Sequence, residues 1–258
     1  MGTKAETEEL AIDVRGLRKA YGGMRAAWDL DFALPPGRIL GLVGPNGAGK
    51  TTAMRCMAGI IPATAGSIKI FGQDLRKDPV AAKRLLTFVP DTPHLFDYLS
   101  VEEHLQFLGR VHQLGDIDER ADRLLEAFDL SDKRRHLPEA LSRGMKQKVV
   151  ICIGFLHDPR AIFLDEPLTG LDPRGIRSMK DAIVARAREQ NAAVIISSHQ
   201  LELIEEICDE IFVIAEGRHV ASGSLGDIRA SLEGVEEGSS LEEIFFRVTE
   251  KSAKVDPS

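Results

Sequence analysis

The chain has 258 residues, 43% of them hydrophobic and 28% charged, with 33 Lys+Arg against 40 Asp+Glu for a formal net charge of −7 at pH 7. That length suits one large domain or two small ones, and the apolar share is enough for a sizeable core, which excludes a disordered chain. The acidic balance argues against a general binder of nucleic acid or of anionic membranes, so any anion held here is gripped by a local arrangement rather than a global field. Cys56, Cys152 and Cys208 lie far apart without CxxC spacing and read as buried thiols in a reducing compartment. Met1 to Leu10 is polar and acidic, unlike a secretory signal, and the longest apolar run, Val149 to Leu156, stops at His157. A spanning helix needs roughly 18–20 such residues, so the expectation is a soluble chain that does not cross a membrane alone.

After the polar tail, 1–9, short apolar alternation over Leu10–Ala20 and Ala26–Leu34, broken by Gly22-Gly23, predicts an antiparallel pair. Pro35-Pro36-Gly37 is a turn, and Ile39–Val43 a buried strand running into a glycine-rich loop at Gly44. A helix starts at Lys50 and runs to Gly59; Ser67–Phe71 and Thr87–Val89 are short strands around a helical stretch at Pro79–Leu86. From Ser100 to about Asp158 the pattern is helical, with Val101, His104, Leu105, Leu108 and Val111 at three- and four-residue spacing, and Ser100 with Glu103 fits a capping box. Beyond Pro159, strand and helix alternate: Ala161–Leu164, Arg174–Glu189, Ala193–Ser197, Leu201–Cys208 and Ile211–Ala215, then a tight turn at Glu216-Gly217 into His219–Ala221. That alternation implies βαβ units and a mainly parallel sheet. Leu241 to Thr249, with Ile244, Phe245, Phe246 and Val248, reads as a short amphipathic helix that packs either on the core or on a partner.

Three segments carry chemistry. Gly44-Pro45-Asn46-Gly47-Ala48-Gly49-Lys50-Thr51 satisfies GxxxxGK[ST], between a predicted strand and a predicted helix. Glycines let successive backbone N–H groups approach a polyphosphate, the helix points its positive end at the same anion, Lys50 adds a charge, and the Thr51 hydroxyl can ligate Mg²⁺. Ala161–Leu164 leads into Asp165-Glu166-Pro167, and two carboxylates at a strand end can divide labour. Asp165 faces a metal and Glu166 the attacking water, as general base or orienter. Leu141 to Lys148 (LSRGMKQK) opens an apolar helix with Ser142 as N-cap and cations in the first turns, which works against the helix dipole unless an anion docks there.

Together these motifs resemble the nucleotide-binding subunit of an ATP-binding cassette (ABC) transporter. GPNGAGKTT at Gly44–Thr52 resembles the family's Walker A, LSRGMKQK its signature and IFLDEP at Ile162–Pro167 its Walker B. Gly170-Leu171-Asp172 resembles the D-loop and Ile196-Ser197-Ser198-His199 the switch histidine, in the family's order, with similarity from about Leu10 to Ile228. The resemblance implies an α/β fold with a RecA-like P-loop core, an antiparallel β-subdomain and an α-helical signature subdomain at about 93–157. The ABC ATPase domain is then 10–230, followed by a C-terminal extension, 231–258.

It further implies that Tyr21 stacks on adenine, that His199 faces the γ-phosphate, and that Lys50, Glu166 and His199 are the catalytic set. Gly44, Pro45, Asn46, Gly47, Ala48, Gly49, Lys50, Thr51 and Thr52 would cradle ATP, with Thr51, Asp165 and Asp91 around Mg²⁺. Two cassettes would dimerise head to tail, so that Ser142 and Gly144 grip the γ-phosphate held by the opposite subunit and Asp172 sits across the same interface. The second cassette is a copy or a paralogue, and the other partner a transmembrane permease on another chain, contacted through Phe96, Tyr98 and Leu99. The expected place is the cytoplasmic face of the membrane, with no nucleic acid bound; a soluble cassette ATPase in a non-transport assembly is the alternative.

This chain departs from the family pattern at three places. Arg143 and Met145 replace a Gly and the Gln of LSGGQ, a variant that hints at export, with Arg143 either a solvated charge or a further phosphate partner. Asp91 stands where the Q-loop glutamine should follow Phe88-Val89-Pro90; it is shorter and anionic, able to reach Mg²⁺ through water. The segment beyond Arg229 matches no fixed pattern.

Overall fold

Residues 10–231, 240–243 and 245 are described by the structure, a computed structural model. In chain order the first elements are β1 (Ile12–Tyr21), β2 (Met24–Leu34), β3 (Ile39–Val43), α1 (Lys50–Met57), β4 (Ala65–Ile70), β5 (Gln73–Asp74), α2 (Pro79–Arg84) and β6 (Leu86–Val89). Three helices follow without an intervening strand: α3 (Val101–Val111), α4 (Ile117–Ala127) and α5 (Arg143–Phe155), the last preceded by two short 3₁₀ turns. The chain then alternates through β7 (Ala161–Asp165), α6 (Pro173–Arg188), β8 (Ala193–Ser197), α7 (Leu201–Ile207), β9 (Glu210–Ala215), β10 (Arg218–Gly223) and α8 (Leu225–Ser231).

Two sheets organise these elements. The larger has the order β10-β9-β3-β8-β7-β6, parallel except for β10, and the smaller is antiparallel, β2-β1-β4-β5. β3, β7 and β8 are buried along their whole length, as strands covered on both faces must be, and are apolar except for the terminal Asp165 of β7 and Ser197 of β8. Period-two alternation splits their side chains between two cores. Val194 and Ile196 of β8 join the cluster beneath α5 and α6, whereas Ala193 and Ile195 join Phe163, Met54 and Leu17 beneath α1 and the small sheet. Burying each such aliphatic side chain contributes roughly 1.5–3 kcal/mol, so the β8 alternation alone binds both layers to one sheet. The hairpin of β1 and β2 turns on Gly22 and Gly23, both at positive φ, as two-residue hairpin turns require.

The helical region is fixed by its caps. Ser100 Oγ accepts the Glu103 N–H at 3.3 Å and the Glu103 carboxylate accepts the Ser100 N–H at 2.7 Å, closing the expected capping box. Asp158, after the end of α5, pairs with Arg120 of α4 and, at 2.6 Å, with Arg186 of α6, tying the helical region to the main core. Phe96 and Tyr98, in the loop entering α3, stay exposed at 56% and 91%.

Several boundaries differ from the sequence reading. α1 stops at Met57 because Gly59 takes φ +65°, a glycine-favoured helix exit. The strand expected over Ser67–Phe71 is shifted toward the N-terminus, since Phe71 and Gly72 turn at positive φ into the two-residue β5. Neither β5 nor α8 had been expected; one is too short to show periodicity and the other is only two turns. Of the helix expected over 241–249, Leu241 to Glu243 and Phe245 are helical, Leu241 is buried in the main cluster and Phe245 packs against it. Ile244, Phe246 and Val248, like the tail 1–9, lie outside the described residues. Among the described residues no helix is long and apolar enough to cross a membrane, and the three cysteines are unpaired thiols whose pKa values burial pushes up, that of Cys56 to about 11.

Candidate nucleotide site

At the end of β3 the chain must leave a buried strand and enter α1 with no room for a side chain at Gly44 or Gly49. A Cβ on Gly44 would lie 2.2 Å from the Ile214 carbonyl oxygen, and one on Gly49 2.0 Å from that of Ala26. Gly49 also adopts φ +104° as the residue before α1. Lys50, the first residue of that helix, turns back beneath the loop and donates to the carbonyls of Gly44 at 2.7 Å and Pro45 at 3.1 Å. Burial lowers the Lys50 pKa, partly offset by the charges of Glu166 and Asp165. Two carbonyls of the loop are thereby engaged from inside, and the positive end of α1 lies at the loop.

Facing this loop is a cleft of about 500 Å³ lined by Asn46 to Thr52, Tyr21, Asp91, Asp165, Glu166 and His199. Tyr21, from the end of β1, is half exposed, with Lys19 Nζ 4.7 Å from its ring centre. Asp165, the last residue of β7, is fully buried; its Oδ1 accepts from Ser197 Oγ at 2.8 Å, and its Oδ2 has no hydrogen bond among the described residues.

Glu166 follows at φ +49°, a left-handed conformation that costs a non-glycine residue about 1–3 kcal/mol and persists only when its surroundings over-determine it. Its N–H donates to Ser197 Oγ and its Oε2 accepts the His199 N–H at 3.2 Å. The His199 Nε2 lies 3.2 Å from Glu166 Oε1 without hydrogen-bond alignment, so this buried oxygen makes no hydrogen bond among the described residues. Burial raises the Glu166 pKa above the ordinary carboxylate range, against the opposing pull of His199 and Lys50.

Ser142, Gly144 and Asp172 are not in the cleft; they form a second cluster. Ser142 Oγ caps α5 by accepting the Met145 N–H at 3.2 Å. A Cβ on Gly144 would lie 2.5 Å from the Gly170 carbonyl oxygen, so the start of α5 and the loop after β7 touch backbone to backbone. Asp172 caps α6 through the Gly175 N–H at 3.0 Å and lies 3.6 Å from Lys148 Nζ; both hold its pKa down. The Arg143 stem packs over Gly170. Gln147 of α5, fully buried, donates to the Pro90 carbonyl at 3.1 Å and so ties this helix to the loop carrying Asp91.

Met24, Arg25, Ala26 and Glu216 also line the cleft and had not been singled out in the sequence. The first three follow Tyr21 round the hairpin, and Glu216 sits on the turn between β9 and β10. That turn is joined to the loop by the Gly217 N–H to Ala48 carbonyl bond at 2.9 Å, a long-range contact with no motif.

A phosphate loop facing two strand-end carboxylates defines a nucleotide-hydrolysing P-loop protein. The chain belongs to the ABC transporter family, whose profile matches residues 28–169. It is 31% identical over 244 residues to the ABC-type transporter ATP-binding protein EcsA of Bacillus subtilis, covering 94% of this chain and 98% of that one. It is 34% identical over 224 residues to the daunorubicin/doxorubicin resistance ATP-binding protein DrrA of Streptomyces peucetius, covering 86% and 68%. A solved ATP-binding subunit of an ABC transporter superposes with a TM-score of 0.87 at 32% identity, covering 93% of this chain and 99% of that chain. The protein is accordingly an ATP-binding, ATP-hydrolysing subunit of an ABC transporter with the RecA-like cassette fold. Proteins of this family dimerise, associate with membranes and work with transmembrane subunits.

Proposed function

We propose that this chain hydrolyses Mg²⁺·ATP at the cytoplasmic face of the membrane, as a peripheral subunit driving export through a separately encoded permease. The observation that carries the reading is the meeting of Asn46 to Thr52 with Asp165, Glu166 and His199 in one cleft. Residues 10–230 act as the ABC ATPase domain, with 93–157 as its helical subdomain and 231–258 as an extension. Gly44, Pro45, Asn46, Gly47, Ala48, Gly49, Thr51 and Thr52 hold the triphosphate with Lys50, and Tyr21 stacks on adenine, a contact that supplies affinity more than choice of base. The free Asp165 Oδ2 suits a hard cation, which Thr51 and Asp91 would hold with it. When bound, Mg²⁺ supplies charge neutralisation at the β- and γ-phosphates.

Glu166 receives a proton from the attacking water as the new oxygen–phosphorus bond forms and the bond to the β-phosphate oxygen breaks. The Glu166 carboxylate is the acceptor for that proton; the His199 backbone N–H holds its Oε2, and the His199 ring faces the γ-phosphate. Ser142 and Gly144, outside the cleft of their own chain, serve the ATP of a second cassette in a closed two-fold dimer, with Asp172 at the same interface. Loss of the γ-phosphate removes those contacts and opens the dimer. The exposed Phe96 and Tyr98, with Leu99, dock the permease. The similarity to DrrA, a daunorubicin/doxorubicin resistance ATP-binding protein, supports the export direction.

The test is an affinity pull-down of tagged protein from detergent-solubilised native membranes, with peptide identification of what accompanies it. A polytopic protein in roughly equal amount supports the reading. Soluble partners alone, with no tagged protein in the membrane fraction, would leave the ATPase and remove the transport.

A further inference from the structure

β8 ends on Ser197, a side chain with no solvent exposure, two residues before His199. Its hydroxyl donates to Asp165 Oδ1 at 2.8 Å and accepts the Glu166 N–H at 3.1 Å. The same N–H also reaches the Ser197 carbonyl at 3.2 Å, and the register sets Asp165 directly opposite Ser197. One hydroxyl has one proton to give and lone pairs to accept with, so a single oxygen satisfies two neighbours at once. Strand pairing does not require it, because backbone groups already close the β7–β8 ladder. A buried polar side chain in an otherwise apolar strand is costly unless bonded, which makes these two bonds the reason it is tolerated there.

Two consequences follow for the cleft. With Oδ1 taken by Ser197, Oδ2 is the Asp165 oxygen left without a hydrogen bond among the described residues, so the serine selects which oxygen is offered to a cation. With its N–H held by Ser197 and its Oε2 by the His199 N–H, Glu166 is clamped at both ends by one three-residue segment while it sits at φ +49°.

We propose that Ser197 is a positioning residue for hydrolysis, orienting the Asp165 carboxylate toward the cation and fixing the Glu166 backbone for attack on the γ-phosphate. The proposal rests on the roles assigned above to Asp165 and Glu166. Since Ser197 and His199 leave the same strand end, a γ-phosphate held by His199 bears directly on the segment that sets Glu166.

The test uses Ser197→Ala, which removes the hydroxyl, and Ser197→Thr, which keeps it, in the full chain, with thermal melting to confirm the fold. Loss of an outer-sphere partner of this kind costs about 10- to 100-fold, so Ser197→Ala should lower kcat by that factor with the KM for ATP changed less than about 2-fold. The Mn²⁺ affinity of the protein–ATP complex, read by electron paramagnetic resonance in the Glu166→Gln background where turnover does not intervene, should fall about 10-fold once Ser197 is Ala, a loss that saturating metal in the turnover assay keeps out of the KM for ATP. Ser197→Thr should retain turnover within about 3-fold of the parent. A Ser197→Ala kcat within about 2-fold of the parent, unchanged Mn²⁺ affinity, or a folded Ser197→Thr protein as slow as Ser197→Ala would each overturn the proposal. Parent-like turnover in Glu166→Gln alone would instead strike the assigned role of Glu166, and this inference with it.

Discussion

Replacing Glu166 by Gln isolates the chemistry from the scaffold. Gln has nearly the same volume, and its carbonyl can still accept the His199 N–H that Glu166 Oε2 accepts at 3.2 Å. The Glu166 N–H keeps its bonds to Ser197, so the φ +49° backbone has the same support. An amide also removes the desolvation that raises the Glu166 pKa, so the fold should be unharmed. What is lost is proton acceptance. A positioned general base is worth roughly 10²–10⁴ in rate, about 2.7–5.4 kcal/mol of barrier. No phosphate contact disappears, since Lys50 and the loop are untouched. Phosphate release should therefore fall by two to four orders of magnitude while binding of a fluorescent ATP analogue stays within about 2-fold. Parent-like turnover would refute the assignment of Glu166; equal loss of binding and turnover would show that it holds the nucleotide instead.

The remaining predictions follow from the same geometry. Because burial raises the Glu166 pKa in the free protein, its base form is lost, as pH falls, at a value above that of a free Glu, about 4.3; the acid limb of kcat/KM, which reports the free enzyme, should lie higher than this, and a limb at or below it would contradict the burial argument. Lys50→Ala should weaken ATP binding itself by at least about tenfold in equilibrium titration, since it removes the cation held against the loop carbonyls of Gly44 and Pro45. Mixing inactive Lys50→Ala chains with inactive Ser142→Arg chains should restore about a quarter of parental turnover, because half of random dimers are mixed and each has one intact site; no recovery would count against a head-to-tail dimer. Asp158→Ala leaves Arg186, whose side chain is 10% exposed, without its carboxylate, and should lower unfolding free energy in urea by about 1–3 kcal/mol, discounted for the half-exposed Asp158.

What could be read ahead of the structure was local. The Gly44–Thr52 loop is legible because the chain must satisfy Gly44 against Ile214 and Gly49 against Ala26 with residues that lack Cβ, and few other sequences meet that demand. The capping box at Ser100 and the apolar runs of β3, β7 and β8 are equally local. Contributions from contacts distant in sequence were not legible. Glu216 reaches the cleft only because β9 pairs with β3 and sets its turn beside Ala48. Ser197 was visible as part of a motif, yet its bonds to the two carboxylate residues depend on the β7–β8 register. Likewise, nothing in the pattern LSRGMKQK announces that Gln147 would be buried and bonded to Pro90, beside the loop carrying Asp91.

A chain of net charge −7 that holds a triphosphate illustrates which electrostatic scale decides. Charges farther off than about 8 Å are largely screened at physiological salt, so the acidic surface has little say inside the cleft. The groups that count are the loop N–H donors, the start of α1, Lys50, and the carboxylates of Asp165 and Glu166. Burial pushes the last-named acid and the lysine in opposite directions, Glu166 up and Lys50 down, each toward its neutral form. A polyphosphate next to Lys50 favours the ammonium, and a divalent cation near Asp165 and Glu166 favours the carboxylates, so ligand and metal each reverse one of these shifts. The protonation states that hydrolysis needs are thus stabilised by the substrate complex, which couples readiness of the base to occupancy of the cleft.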